Sequence, residues 1–126
     1  MRAPLIVALG VLAASPAASV DRPSADDRLA KALAGMTPGS PVSCLERRRE
    51  TGYRAIGDAL VFRYGSKLAY VNRTRGGCNG VGPNEAVVIQ AGISRLCTGD
   101  LARIVDPRTG MESGSCTLGE FVPYRK

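Results

Sequence analysis

The spacing of apolar residues changes twice along this 126-residue chain. Behind Arg2, residues 5–14 form an uncharged apolar run, the n-region and h-region pattern of a secretory signal peptide. At about 1.5 Å per residue the run is too short to cross a hydrocarbon core of about 30 Å, so no membrane span is expected. The small residues Ser15, Ala17, Ala18 and Ser19 suit a peptidase. Cleavage after Ser19 puts Ala17 at −3, and cleavage after Ala17 is nearly as good. Residues 1–19 are therefore expected to be a signal peptide on a periplasmic or secreted protein. No cysteine precedes Cys44, so no lipid-modified N-terminus is expected, and the mature protein is expected to be soluble.

Between residues 20 and 41 the spacing is helical. Ser24 and Asp27 make an N-terminal capping pair, and Leu29, Leu33 and Met36 fall at i, i+4 and i+7. Gly35 suits the C-terminal end. A helix near residues 25–34 is too short to be stable alone and must dock on the domain after it. Residues 36–41 then read as a turn-rich linker.

After Val42 the period becomes two, which predicts a β-rich domain over residues 42–126. Leu60, Phe62 and Tyr64 alternate with Val61 and Arg63, and Leu68 and Tyr70 with Ala69 and Val71. Gly65-Ser66 places a hairpin over residues 59–72. A two-residue turn pairs Phe62 with Ala69; a three-residue turn pairs Phe62 with Tyr70 and collects the large side chains on one face, the preferred arrangement. That arrangement puts Lys67 where glycine is usual. Residues 44–48 and 53–57 read as an earlier strand region broken near Thr51-Gly52. Residues 86–89 read as a buried strand, and residues 101–106 and 115–122 as two more joined through a turn at 106–110. The expected fold class is mainly β: a small antiparallel barrel or sandwich of five to seven strands with a short N-terminal helix.

The mature domain keeps four cysteines, Cys44, Cys78, Cys97 and Cys116, spaced 34, 19 and 19 residues apart. That spacing, with no histidine in the chain, fits two disulfides rather than a metal site; three connectivities are open.

The chain carries +6, and without residues 1–19 the balance of 16 basic and 11 acidic side chains leaves +5. This favours anionic surfaces, although 14 arginines among the 17 basic residues also suit a GC-rich genome. The candidate anion-binding residues are Arg73 and Arg75, in a glycine-rich stretch over residues 72–84, and the cluster Arg47, Arg48, Arg49. The plain alternatives are a solvated loop held by Cys78 and a strand edge guarded by charge. If Arg47 to Arg49 lie on a strand, Arg48 points away from the other two. One Arg-Gly-Gly is too short for an RNA-binding segment, and nucleic acid is not an expected partner. Asn72-Arg73-Thr74 matches a glycosylation sequon.

Without histidine the common nucleophilic triads are ruled out. The remaining catalytic candidates are Asp58, Glu85, Asp100, Asp106 and Glu120, of which Asp58, Asp100 and Asp106 sit in turn contexts. No catalytic residue, cofactor or metal is expected. A closed barrel without a cavity near ~300 Å³ would remove most of the case for catalysis. The favoured reading is a non-enzymatic envelope protein binding a partner or an anionic surface. The alternatives are a small carboxylate-dependent hydrolase and a secreted inhibitor of an exported enzyme.

Several short motifs add a resemblance. Lys31-Ala32-Leu33-Ala34-Gly35, Pro38-Gly39 followed by Pro41-Val42 and Cys44, Tyr70-Val71-Asn72-Arg73, Leu96-Cys97, and Leu118-Gly119-Glu120-Phe121-Val122-Pro123-Tyr124 together resemble a family of small exported Gram-negative proteins of unknown function. The resemblance runs from about residue 29 to the C-terminus and carries no activity or cofactor with it. It implies that Cys44 and Cys97 belong together, leaving Cys78 with Cys116 as an extra pair.

Overall fold

A computed structural model describes residues 14–78, 80–82 and 84–126. Most of the expected signal peptide lies outside the described residues. Residues 14–20, which include the expected cleavage sites, are exposed and irregular.

The helix α1, Ala25–Ala32, starts on a complete capping box. Ser24 Oγ accepts from the Asp27 amide at 3.1 Å, and the Ser24 amide donates back to Asp27 Oδ2 at 3.1 Å. α1 ends two residues before the expected boundary. Its last turn is held from outside, because Arg63 Nη2 donates to the Ala32 carbonyl at 2.6 Å. Leu29 and Leu33 are buried against Ile56, Ala59, Val61, Ala69 and Val71, so the helix docks through the stripe its spacing marks.

The strands are β1 (Thr37–Pro38), β2 (Cys44–Glu46), β3 (Gly52–Ile56), β4 (Ala59–Arg63), β5 (Leu68–Arg73), β6 (Arg75–Gly76), β7 (Ala86–Gln90), β8 (Arg95–Cys97), β9 (Leu101–Val105), β10 (Glu112–Thr117) and β11 (Phe121–Arg125). All pairings are antiparallel. One sheet has the order β1-β11-β5-β4-β3, a second β6-β10-β9-β7, and β2 and β8 form a separate ribbon. The fold is mainly β and sandwich-like, and the sheets do not close into a barrel.

The five-stranded sheet buries both faces, which explains why β4 reads as apolar on both parities. Ala59 and Val61 meet α1. Leu60 and Phe62 face the second sheet and pack with Phe121, Val87, Ala102, Ile104 and Leu118. Phe62 opposes Tyr70, so the three-residue turn is the one formed. The left-handed position is taken by Gly65, at φ 79°, not by Lys67. The edge strands β3 and β7 are clamped by Tyr53, whose hydroxyl donates to the Val87 carbonyl at 3.0 Å.

Five expectations need correction. The described residues form eleven strands, four of them only two or three residues long, rather than five to seven. Residues 36–41 are more than a linker, because Thr37 and Pro38 pair with Arg125 and Tyr124 at the edge of the large sheet. Arg47–Arg49 form a 3₁₀ turn rather than strand, so alternation does not apply to them. β7 is an edge strand with only Val87 buried, not a fully buried one. The stretch 115–122 is two strands, interrupted where Leu118 and Gly119 are buried at the crossing between sheets.

Cys44 is bonded to Cys97 and Cys78 to Cys116, and no cysteine is free. This is the pairing the family resemblance implies. The first bond joins residues directly opposite in the β2–β8 ribbon, and the second ties the glycine-rich stretch to β10. Two disulfides are typical of proteins matured in an oxidising compartment. Among the described residues no helix is long and apolar enough to cross a membrane.

Candidate anion-binding groove

Strand alternation in the ribbon creates the site. Leu45 and Leu96 point inward and are buried in the core between the sheets. Their neighbours Glu46 and Arg95, which oppose each other, are therefore turned outward. The ribbon lies over the Leu68 end of the five-stranded sheet, where Tyr64, Tyr70 and Arg125 occupy the face that elsewhere meets the second sheet. Between them is an open groove of about 670 Å³. Arg49, from the 3₁₀ turn, completes its rim.

Three arginines, Arg49, Arg95 and Arg125, thus line one groove with a single acidic residue, Glu46. Among the described residues none of the three has an acidic partner within 4.0 Å. The aromatic wall is rigid. Tyr64 and Tyr70 meet edge to face at 5.2 Å, and the Tyr64 hydroxyl donates to the Glu46 carbonyl at 2.8 Å. Burial, helped by the nearby charges of Glu50 and Glu46 and by Tyr70, pushes the Tyr64 phenol up to about 12, against the opposing pull of Arg49. Tyr64 is therefore a neutral donor at physiological pH. Glu50, just behind the turn, is also pushed upward, by burial, with Arg47 opposing.

Arg73 and Arg75 are elsewhere. Along β5, Leu68 opposes Arg125, and Arg73 lies five steps of about 3.3 Å away, roughly 17 Å from that end. Arg73 Nη1 binds Asp58 Oδ1 at 2.9 Å, and Nη2 lies 3.5 Å from Asp26. With Arg75 it lines a different hollow beside Glu120 and Tyr124. The candidate arginines therefore do not converge: Arg47, Arg48 and Arg49 belong to the groove's end, whereas Arg73 is committed to ion pairs at the other.

In the glycine-rich stretch three amides are already used: Thr74 donates to Asp58 O at 3.0 Å, Gly77 to Ser115 O at 2.8 Å and Gly82 to Glu85 Oε2 at 2.8 Å. Asn79 and Pro83 lie outside the described residues. Asn72, the sequon residue, is fully buried and bonded through its side chain, so it is not presented to a glycosylating enzyme in the folded protein.

Three of the five candidate carboxylates hold backbone amides, and a fourth, Asp58, is paired with a guanidinium. Asp58 closes the β3–β4 turn with Arg73; Asp100 Oδ2 accepts from the Cys97 amide at 2.7 Å; Asp106 Oδ1 accepts from the Arg108 amide at 2.8 Å. Glu85 accepts from Gly82 and from Ser113 Oγ at 2.7 Å, bonds that pull its carboxyl below the usual range. Glu120 is exposed. Among the described residues no three His, Cys, Asp or Glu side chains are grouped to hold a metal.

Arg95 and Arg125 were not identified from the sequence. Each is a single arginine at a strand terminus, and only the long-range pairing of β2 with β8 and of β5 with β11 brings them to Arg49. Compared with protein-family models, curated proteins and solved structures, the chain matches none.

Proposed function

We propose that this chain is an exported, non-enzymatic binding protein of the periplasm whose Arg49–Arg95–Arg125 groove holds an anionic group of the cell envelope. The observation that carries the reading is that three arginines, drawn from three separate elements and without ion-pair partners among the described residues, line one groove. Guanidinium forks match carboxylate and phosphate oxygens in pairs, and the Tyr64–Tyr70 wall supplies an apolar side for the rest of a ligand. The net positive charge, the two disulfides and the resemblance to exported proteins all support it. Against hydrolysis stands the use of three candidate carboxylates to hold backbone amides and of a fourth, Asp58, in an ion pair with Arg73. An open groove larger than ~300 Å³ means that cavity size does not weigh against an enzyme.

The test is an amide and arginine side-chain NMR titration with inorganic pyrophosphate. Shifts confined to residues 44–49, 64–70, 95 and 125, and abolished in Arg49→Gln/Arg95→Gln, are expected. Shifts centred on Arg73 and Arg75, or no saturable shifts at all, would refute the assignment.

A further inference from the structure

The β7–β8 loop, residues 91–94, carries Ile93 with 99 % of its surface exposed, flanked by the small residues Gly92 and Ser94. A lone exposed aliphatic side chain is ordinary. What distinguishes this one is its setting. The Ser94 carbonyl accepts from the Arg47 amide at 3.0 Å, which fastens the loop to the Arg47–Arg49 turn. Arg95 comes next in the chain, and its strand is cross-linked to β2 by Cys44–Cys97. An apolar tip is thus held beside exposed Arg47, Arg48, Arg49 and Arg95. With Arg125, five arginines stand against Glu46 and Glu50 at this end, an excess of three in a mature chain of net +5.

We propose that this end of the molecule docks on an anionic lipid surface, with Ile93 entering the head-group layer and the arginines around it contacting lipid phosphates; the inference rests on the reading of the groove as an anion site. Basic side chains around an apolar residue are the composition that binds at a membrane interface, because head-group phosphates satisfy the guanidiniums while the apolar tip leaves water. Arginine stems lie along the interface with their charged heads at phosphate depth. The groove opens at this same end and accommodates a head group rather than an acyl chain, since its rim is charged.

The chain has no tryptophan, so Ile93→Trp reports the position directly. Met111, 71 % exposed, precedes the Glu112–Val105 end of the second sheet, opposite the Gln90–Leu101 end from which Ile93 projects, and Met111→Trp is the matched control. The oxidised full chain is mixed with vesicles of equal parts phosphatidylglycerol and phosphatidylcholine, or of phosphatidylcholine alone. Sedimentation with the anionic vesicles only, lost at high salt, is expected, with a blue shift in tryptophan emission for Ile93→Trp and none for Met111→Trp. Ile93→Ser is expected to weaken partition roughly tenfold, and Arg47→Gln and Arg95→Gln roughly fivefold each. Vesicle binding without an emission shift in the Ile93→Trp variant, or indifferent to Ile93→Ser, overturns the docking geometry. Absence of vesicle binding while pyrophosphate still moves the groove signals overturns lipid docking and leaves the anion site standing. Absence of both removes the two readings together.

Discussion

Asn72 and Gly119 hold each other by two reciprocal hydrogen bonds, Nδ2 to the Gly119 carbonyl at 2.7 Å and the Gly119 amide to Oδ1 at 2.9 Å. Both residues are buried, Asn72 completely. The side chain thus acts as a strand edge for the link between β10 and β11, where a β-carbon on residue 119 would run into the Arg73 carbonyl. Asn72→Ala leaves a buried amide without its partner and is expected to cost about 3 kcal/mol in urea unfolding. Asn72→Asp, which keeps the acceptor but loses the donor and adds charge, is expected to do no better. A loss under about 1 kcal/mol for Asn72→Ala would show that the link is held mainly by packing.

The raised phenol of Tyr64 makes a spectroscopic prediction. Absorbance titration of the folded protein is expected to show a late tyrosinate step near about 12, absent in Tyr64→Phe. Because the folded protein keeps that proton longer than the unfolded chain, stability falls as pH rises from the ordinary value of 10.0 toward about 12, and the variant lacks this alkaline loss. At pH 7 the variant loses the bond to Glu46, at most about 1 kcal/mol.

Glu50 follows the same rule as Tyr64, at acid rather than alkaline pH. Its pKa is raised by burial, so its ionised form is disfavoured in the fold. The penalty is absent well below the ordinary value of 4.5 and complete above the raised one. Glu50→Gln is expected to raise the urea midpoint at pH 7 and leave it unchanged at pH 3. The same substitution removes a negative charge behind the Arg47–Arg49 turn, so binding to anionic vesicles should strengthen. Equal shifts at both pH values would trace the gain to packing instead.

Asp27 and Glu85 are depressed, each chiefly by hydrogen bonds from nearby serines, Ser24 and Ser113. Their contributions are present above the ordinary carboxylate values and are lost as pH falls through the lower folded ones. Acid is therefore expected to fray α1 and to loosen Glu85 from Gly82 and Ser113. Protection from hydrogen exchange, measured against the intrinsic rate at each pH, should fall at pH 3 at both places, and Ser24→Ala should reduce the pH dependence at the helix alone.

Much of the fold can be read from local pattern. The Ser24–Asp27 box, the helical stripe through Leu29 and Leu33, the register of Phe62 with Tyr70, and the turn at 106–110 each depend on residues within a dozen positions of one another. The groove depends on none of these. Arg95 meets Glu46 through a pairing of strands 53 residues apart at their cysteines, in a ribbon too short to show alternation. Arg73 looked available because its partner Asp58 is 15 residues away across β4 and β5, a contact visible only once the hairpin is folded. Nor does period two reveal that Leu118 and Gly119 cross between sheets, since Leu118 is buried by the core between them and Gly119 is held by Asn72.

The two disulfides interleave along the chain: Cys78 lies inside the loop closed by Cys44 and Cys97, and Cys116 lies outside it. Severing the backbone once, anywhere between Cys44 and Cys116, therefore leaves two pieces still joined covalently. Between Cys78 and Cys97, a span that includes the Ile93 loop, both bonds hold the pieces together. A single nick in this span therefore sheds no fragment, and the two pieces come apart only on reduction.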